Sequence, residues 1–157
     1  METSQRRGKY FEEFSAGQRV LTAGRTITEA DVVGFAGLTG DFNQIHTDAE
    51  FARQAFYGQR IAHGLLGLAI ASGLAVQTGV MEGTVLAFRE VNDWKFSRPV
   101  FLGDTLHATL EVVSTKPVPR LGGGSVELRV SVNNQRDETV MAGVWTVLMQ
   151  SRPPTDP

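Results

Sequence analysis

Apolar and polar residues alternate most regularly in the C-terminal half of the chain. Within 106–112, and again within 126–132, every second residue is Leu, Ala or Val and the residues between them are polar. A period of two is typical of strands that bury one face. Segment 140–149 is apolar on both faces and predicts a strand covered on both sides. Segment 84–96 predicts a further strand, with a candidate apolar side made of Leu86, Phe88, Trp94 and Phe96.

The segments between these strands carry turn residues. Pro99 and Gly103 predict a bend in 98–104, the Pro- and Gly-rich segment 116–124 predicts a loop, and 133–138 supplies a turn. Near the N-terminus, 19–27 predicts one more strand.

Two capping signals predict helices in the first half. Thr28 precedes an acidic first turn and fits a helix N-terminus, and Gly40 is suited to ending that helix. Thr47 begins a Thr-Asp-Ala-Glu capping box, which predicts a short helix with Phe51 and Phe56 on its apolar side.

The longest uncharged stretch, 62–77, predicts a helix buried on every side. Its glycines and Gln77 make it a poor membrane span. Helices followed by turn-linked strands form an α+β pattern. We expect one antiparallel sheet wrapped around this long buried helix, whose small residues let the sheet approach its axis. A length of 157 residues corresponds to one domain, 1–157, with flexible polar tails at 1–9 and 151–157.

The composition excludes several classes of function. The chain is 41% hydrophobic and 20% charged, with a net charge of -2 and no cysteine. Disulfides, thiolate nucleophiles and cysteine-ligated metals are therefore excluded. A slightly acidic chain has no implied basic face, so nucleic acid is not an expected partner. Residues 1–14 carry charges and lack the apolar segment of a signal peptide, so we expect a cytoplasmic protein without membrane association.

The chemistry-bearing residues gather in 41–46, between two predicted helices. Asp41 and His46 can converge there on one small site, and Asn43 is suited to supporting the loop through hydrogen bonds to the backbone. Unperturbed His titrates at about pH 6.5 and Asp at about 3.9, so near neutral pH the two form a base and a charged partner. Such a pair suits addition or elimination of water next to a carbonyl.

A structural explanation of these residues is the alternative. Asp41 would then merely terminate a turn, and His46 would be an ordinary residue ahead of a helix cap. A metal site made of Asp41, His46 and His63 matches no known ligand spacing, and no metal is expected.

His63-Gly64 stands at the start of the long uncharged helix. Backbone N–H groups in a first helical turn have no partner within the helix, and the helix dipole is positive there. The Gly64 N–H is thus suited to stabilising a developing enolate oxygen, and a glycine lets a carbonyl come close. In the structural alternative, Gly64 only allows tight entry of the chain into the core. The basic residues nearby form no phosphate loop and fit solvated surface: Arg53, Arg60, Lys95 and Arg98.

These motifs resemble those of a known family. The segments Asp41-Phe42-Asn43-Gln44-Ile45-His46 and Ile61-Ala62-His63-Gly64-Leu65-Leu66 are similar to the paired motifs of the MaoC-like, (R)-specific enoyl-CoA hydratases. Those motifs are Asp-x-Asn-Pro-x-His and a helix start of an apolar residue, a small residue, His and Gly. The similarity extends to 10–14, Gly17 and 98–104, so it covers nearly the whole chain.

The resemblance implies a hot-dog fold, a homodimer, and addition of water to a trans-2-enoyl thioester of CoA or an acyl carrier, without a cofactor. It assigns Asp41 and His46 to activating the water and exchanging the α-carbon proton. The Gly64 N–H would hold the thioester carbonyl, and we assign the flanking His63 and Leu65 to substrate binding.

One residue departs from the family pattern, and two other functions stay open. Gln44 stands where the family has proline, so the loop loses a fixed φ angle and gains an N–H. Hot-dog folds also host thioesterases, and a non-catalytic acyl-CoA-binding domain is the third class.

Overall fold

The computed structural model describes residues 8–154, whose strands form an antiparallel sheet. The strand order is β1-β4-β5-β6-β3, and β2 also pairs with β4. The bounds are β1 (Arg19–Leu21), β2 (Arg25–Thr26), β3 (Val85–Phe96), β4 (Thr105–Val118), β5 (Gly123–Asn133) and β6 (Thr139–Gln150). Between β2 and β3 lie α1 (Glu29–Thr39), α2 (Gln44–Thr47), α3 (Ala49–Gln54) and α4 (Gly64–Gln77).

The regular alternation seen in the sequence is reproduced in β4 and β5. Their apolar residues at every second position are buried in one core, as predicted: Leu106, Ala108, Leu110, Val112, Val126, Leu128, Val130 and Val132. The predicted loop 116–124 is wrong in most of its length, because Lys116, Pro117 and Val118 continue the β4–β5 ladder opposite residues 123–125. Only a short 3-10 turn, Pro119–Leu121, and Gly122 separate the two strands. The predicted strand 19–27 is divided into β1 and β2.

α4 shares this core with the sheet. Its buried residues are Leu66, Gly67, Ile70, Ala71, Leu74 and Ala75. A side chain added at Gly67 would collide with Met141 of β6, so glycine permits the close approach of helix and sheet. This arrangement confirms the α+β prediction. Complete burial of the helix is wrong, because Leu65 is 61% and Val76 54% exposed. Within residues 8–154, no helix combines the length and apolarity needed to span a membrane.

Capping is correct for α1 and shifted for α3. Thr28 caps α1 through Asp31, and Gly40 ends it in the left-handed conformation with φ 81°. For α3 the cap is Asp48, whose carboxylate accepts the N–H groups of the second and third helical residues, and Thr47 belongs to α2 instead. A carboxylate is as good a cap as a hydroxyl, and the register therefore moves by one residue.

Two predicted burial patterns are wrong because of where their elements lie. The predicted apolar side of the short helix is not buried: Phe51 faces solvent, and Phe56, which lies beyond the end of α3, is 93% exposed, whereas Ala52 is buried. β3 is an edge strand paired only with β6 in the described sheet, which leaves Leu86, Phe88 and Phe96 half exposed.

The expected flexible tails lie largely outside the described residues. Within residues 8–154, the Lys9 N–H donates to the Val80 carbonyl oxygen (2.8 Å), and the Ser151 N–H donates to that of Gly122 (2.9 Å). The Arg152 N–H donates to the Glu12 carboxylate (3.1 Å). These parts of both predicted tails are therefore attached to the folded domain.

Candidate active site

The segment after α1 folds through short side-chain hydrogen bonds. The Asp41 carboxylate accepts the Asn43 N–H (3.2 Å), and the Asn43 side-chain oxygen accepts the Ile45 N–H (3.2 Å). Asn43 thereby caps α2, which occupies part of the predicted loop and carries His46 in its last turn. Both side chains satisfy N–H groups that a chain reversal would otherwise leave unpaired. Gln44, in place of the family proline, is the first residue of α2.

His46 is held in one tautomer by the backbone. Its side chain is buried, with the residue only 7% exposed, and Nδ1 lies 2.7 Å from the Ile61 carbonyl oxygen. A carbonyl oxygen only accepts, so Nδ1 carries the proton and donates it. In the neutral ring Nε2 then has a free lone pair. His46 is therefore prepared to accept a proton at Nε2, which is the role of a general base.

The surroundings of His46 keep it neutral. Burial lowers the pKa of His46 below its ordinary value, and the neighbouring His63 and Arg60 side chains act in the same direction. The hydrogen bond to Ile61 and the charge of Asp41 oppose that decrease in pKa. A base with a lowered pKa stays unprotonated over a wider pH range.

The structure brings together three of the residues singled out in the sequence. One side-chain N or O atom each of Asp41, His46 and His63 lies within 4.8 Å of the others. The two imidazoles stack, with centroids 3.8 Å apart and planes inclined by 29°. Lone pairs lie in the ring planes, so near-parallel rings direct them side by side rather than towards one point. The cluster therefore suits proton transfer better than shared coordination of a metal ion.

Gly64 begins α4, as predicted, and His63 is its N-cap residue. As the first helical residue, Gly64 has no carbonyl one turn earlier in the helix to receive its N–H. A Cβ added at Gly64 would lie 2.9 Å from the Phe96 ring, so glycine is needed for this contact. Gly64 and Phe96 line a cavity of about 160 Å³, and Tyr57, Ser97 and Arg98 also line it.

A second cavity begins at Leu65 and runs along the exposed face of α4. Its volume is about 490 Å³, and it is lined by α4, β3 and β6 with almost exclusively apolar side chains. The α4 residues recur at helical spacing: Leu65, Leu68, Ala69, Ser72 and Val76. From Leu65 to Val76 the helix rises about 16 Å, so the cavity can hold an extended alkyl chain.

Arg60 and Ile61 take part in the site but were not predicted to do so. The Arg60 Nε donates to the His46 carbonyl oxygen (2.6 Å), while its two terminal nitrogens donate to the Glu29 carboxylate (2.9 Å each). The prediction that Arg60 is solvated surface is therefore wrong, because these contacts leave its side chain only 17% exposed. Ile61 lies in the second motif only as its apolar residue. Contacts made through backbone carbonyls leave no pattern in side-chain types, so the sequence did not indicate these roles.

The structural comparisons define the class of protein. A Mycobacterium tuberculosis protein described as having a double hot-dog fold superposes with a TM-score of 0.83 at 23% identity, over 96% of this chain and 47% of that one. The expected hot-dog fold is thereby confirmed. The monoamine oxidase regulatory protein from Archaeoglobus fulgius superposes with a TM-score of 0.86 at 38% identity, covering 93% of this chain and 97% of that chain. The R-hydratase PhaJ1 from Pseudomonas aeruginosa superposes with a TM-score of 0.77 at 30% identity, covering 94% of this chain and 96% of that chain.

The sequence comparisons then give the family. The model of the MaoC like domain matches residues 12–134, and the chain belongs to this family, as the motifs predicted. A 3-hydroxybutyryl-CoA dehydratase of Methylorubrum extorquens is 32% identical over 94% of this chain and 88% of its own length. An (R)-specific enoyl-CoA hydratase of Rhodospirillum rubrum is 34% identical over 69% of this chain and 72% of its own length. Protein MaoC of Klebsiella aerogenes is 41% identical over 65% of this chain, which spans only 30% of that longer protein.

Proposed function

We propose that this protein is a hydro-lyase that adds water to a trans-2-enoyl thioester, or removes it from the corresponding 3-hydroxyacyl thioester. One observation carries the proposal: the Ile61 carbonyl fixes His46 as the Nδ1–H tautomer and leaves Nε2 as a base beside Asp41. Relatives named as a 3-hydroxybutyryl-CoA dehydratase and an (R)-specific enoyl-CoA hydratase support the same reaction class.

The proposed reaction uses the polarity of the enoyl thioester. The carbonyl oxygen binds the Gly64 N–H, which stabilises negative charge as the oxygen of water bonds to the β-carbon. His46 Nε2 accepts the proton that this water loses, and the Asp41 carboxylate stabilises the resulting imidazolium. When the enolate returns its electrons to the α-carbon, the His46 imidazolium gives its Nε2 proton to that carbon, and His46 becomes neutral again. The product is a 3-hydroxyacyl thioester, and dehydration follows the same steps in reverse.

The two cavities offer room for the two ends of such a substrate. The long apolar cavity that starts at Leu65 fits the acyl chain, since burial of each methylene there contributes about 0.8 kcal/mol. The smaller cavity beside Gly64 is lined by both polar and apolar residues and includes Arg98, which suits the arm that carries the thioester. Leu65 is accordingly a substrate contact in this proposal.

We further propose that two copies associate through β3. This edge strand exposes apolar side chains along its length, namely Val85, Leu86, Phe88, Val91 and Phe96. An exposed apolar edge strand is a template for pairing with another chain. A second copy would also cover the apolar cavity, which β3 borders. The chain matches about half of the Mycobacterium tuberculosis protein with two hot-dog units, which is consistent with a paired arrangement.

We propose that the reaction needs no metal or other cofactor, because proton transfer and polarisation of the carbonyl can both be performed by Asp41, His46 and the Gly64 N–H. Prolonged dialysis against EDTA should leave the rate unchanged. A loss that is restored by one added divalent ion would contradict this part of the proposal.

The function is tested by following the enoyl absorbance of crotonyl-CoA and of longer trans-2-enoyl-CoA substrates. Asp41→Asn, which preserves shape, and His46→Gln, which keeps an amide but removes the titrating ring, should each lower turnover by about 10²- to 10⁴-fold without changing the melting temperature greatly. His107→Gln, on the polar side of β4, is the matched control. Near-normal turnover in either site variant would reject the assignment of Asp41 and His46 as catalytic residues.

The two alternative functions give other results. Release of free thiol would identify a thioesterase, and thermal stabilisation by acyl-CoA without turnover would identify a binding domain.

A further inference from the structure

His63 connects separate parts of the proposed site. Its Nε2 lies 2.9 Å from the carbonyl oxygen of Asp41, which is 22 residues earlier in the chain. One face of its ring stacks on His46, and Phe35 of α1 contacts the ring with a centroid distance of 4.9 Å. The next residue is Gly64. His63 therefore contacts the Asp41 backbone and the base, and it is covalently joined to the expected carbonyl-binding N–H.

The hydrogen bonds of His63 assign its tautomer. Because the Asp41 carbonyl oxygen only accepts, the His63 Nε2 must carry the proton. Nδ1 is buried and has no hydrogen-bond partner in the described part of the chain. A proton on Nδ1 would be a buried donor without an acceptor, which is unfavourable. The two stacked histidines are thus opposite tautomers: His46 donates from Nδ1 and His63 from Nε2.

Burial keeps the His63 side chain from contacting the substrate. The residue is only 3% exposed, its Nε2 is used by Asp41, and its Nδ1 is inaccessible. Moreover, a neutral ring at this place leaves the proton-accepting role to His46, since a cation stacked at 3.8 Å would repel a second positive charge.

We propose that His63 is a positioning residue, which through the Asp41 backbone and the His46 ring holds the acid–base pair in register with the Gly64 N–H. It acts as a neutral Nε2–H donor and as an aromatic support. This inference replaces the expected contact of His63 with substrate. Its effect on turnover rests on the proposed hydratase function, whereas its tautomer and contacts do not.

The tautomer is tested without any activity assay. The chain contains three histidines, so protein labelled with ¹⁵N-histidine gives few imidazole signals, and a His107→Gln variant identifies those of the third. Near pH 7.5, long-range ¹H–¹⁵N spectra should show protonated Nε2 and unprotonated Nδ1 for His63, and the reverse for His46. An Nδ1–H tautomer of His63, or averaging between its two tautomers, would overturn the proposal.

Two substitutions of His63 separate its hydrogen bond to Asp41 from its ring stacking on His46. His63→Phe keeps the aromatic ring and loses the donor to Asp41, while His63→Gln keeps an amide donor and loses the ring. Each should lower kcat about 10- to 100-fold with KM changed less than about threefold, because misplaced groups affect the chemical step. Each should also shift the His46 titration measured by ¹⁵N NMR. His107→Gln is the control and should change none of these quantities.

The alternatives give different results. A substrate-binding role would raise KM with kcat retained, and a purely structural role would lower the melting temperature while leaving kcat and the His46 titration unchanged; either result overturns the positioning role. If the wild-type protein hydrates no enoyl thioester, the proposed function fails, yet the tautomers and the effect of each variant on the His46 titration still decide whether His63 positions that ring.

Discussion

The Arg60 guanidinium holds the backbone of His46 through a 2.6 Å hydrogen bond that its Nε donates to the His46 carbonyl oxygen. The same guanidinium forms a two-pronged interaction with the Glu29 carboxylate at the start of α1. Only Arg can make this fork, since the Lys ammonium is a point charge. The first turn of α1 and the last turn of α2 are therefore joined through one side chain.

Loss of this connection should weaken both the fold and the activity. Arg60→Lys and Arg60→Ala should each lower the free energy of unfolding by about 1–2 kcal/mol, or about 4 °C in melting temperature, and reduce turnover by about tenfold. Arg53→Ala is the matched control, because Arg53 pairs with Glu50 on an exposed helix surface and should cost less than about 0.5 kcal/mol. Equal effects of Arg60→Ala and Arg53→Ala would show that Arg60 is ordinary surface.

The lowered pKa of His46 predicts a pH dependence of stability. In the unfolded chain His46 binds its proton at about pH 6.5, whereas burial lowers its pKa in the folded protein. The resulting stability is fully present above pH 6.5 and is lost as the pH falls through the folded-state pKa. Urea unfolding between pH 7.5 and 5 should show this loss, and it should be smaller in His46→Gln. If the free energy of unfolding falls equally with pH in the wild-type protein and in His46→Gln, the lowered pKa of His46 is contradicted.

The same property predicts the acid limb of the activity. The groups that face His46 are Asp41, His63 and Arg60. With the pKa of the base lowered, the acid limb of kcat/KM for hydration should have its midpoint below about pH 6.5. A limb centred above that value would mean that another group controls the rate.

Gly64 should be sensitive to a single methyl group. In Gly64→Ala the new Cβ would press against Phe96 and approach the space for the thioester carbonyl. We expect a loss of about 1–3 kcal/mol in stability and at least a tenfold loss in turnover. Adding Phe96→Ala should relieve the collision with the ring and recover stability. Recovery of turnover to the level of Phe96→Ala alone would argue against a role for the Gly64 N–H.

The apolar cavity should set the acyl chain length. Val76 lines its far end, so Val76→Trp should reduce kcat/KM for long enoyl-CoA substrates and leave crotonyl-CoA unaffected. Gln77→Trp adds the same bulk to the next residue, which does not line this cavity, and serves as control. If Val76→Trp treats short and long substrates alike, the chain lies elsewhere.

The exposed edge strand should control assembly. Light scattering of the wild-type protein should give about twice the chain mass of 17.1 kDa. Leu86→Lys combined with Phe88→Lys places two charges on β3 and should shift the mass towards that of one chain. Leu21→Lys, on β1 at the opposite edge of the sheet, is the control. A wild-type monomer would exclude pairing through β3.

Local chemistry let the sequence determine the secondary structure at several places. Thr28 and Gly40 mark the ends of α1 because capping depends on residues three or four apart, and alternation in β4 and β5 reports which face meets the core. The Asp41–His46 segment and His63-Gly64 could likewise be picked out, since their spacing matches a family motif.

Only the tertiary structure decided which of these side chains meet and what each can do. The stacking of His63 on His46, the Ile61 carbonyl that orients the base, and the Arg60 contact all join distant parts of the chain through ring faces and backbone oxygens. Burial of β3 also depended on its position at the edge of the sheet rather than on its alternation. Contacts of this kind arise from packing between elements, and no periodicity within one element encodes them.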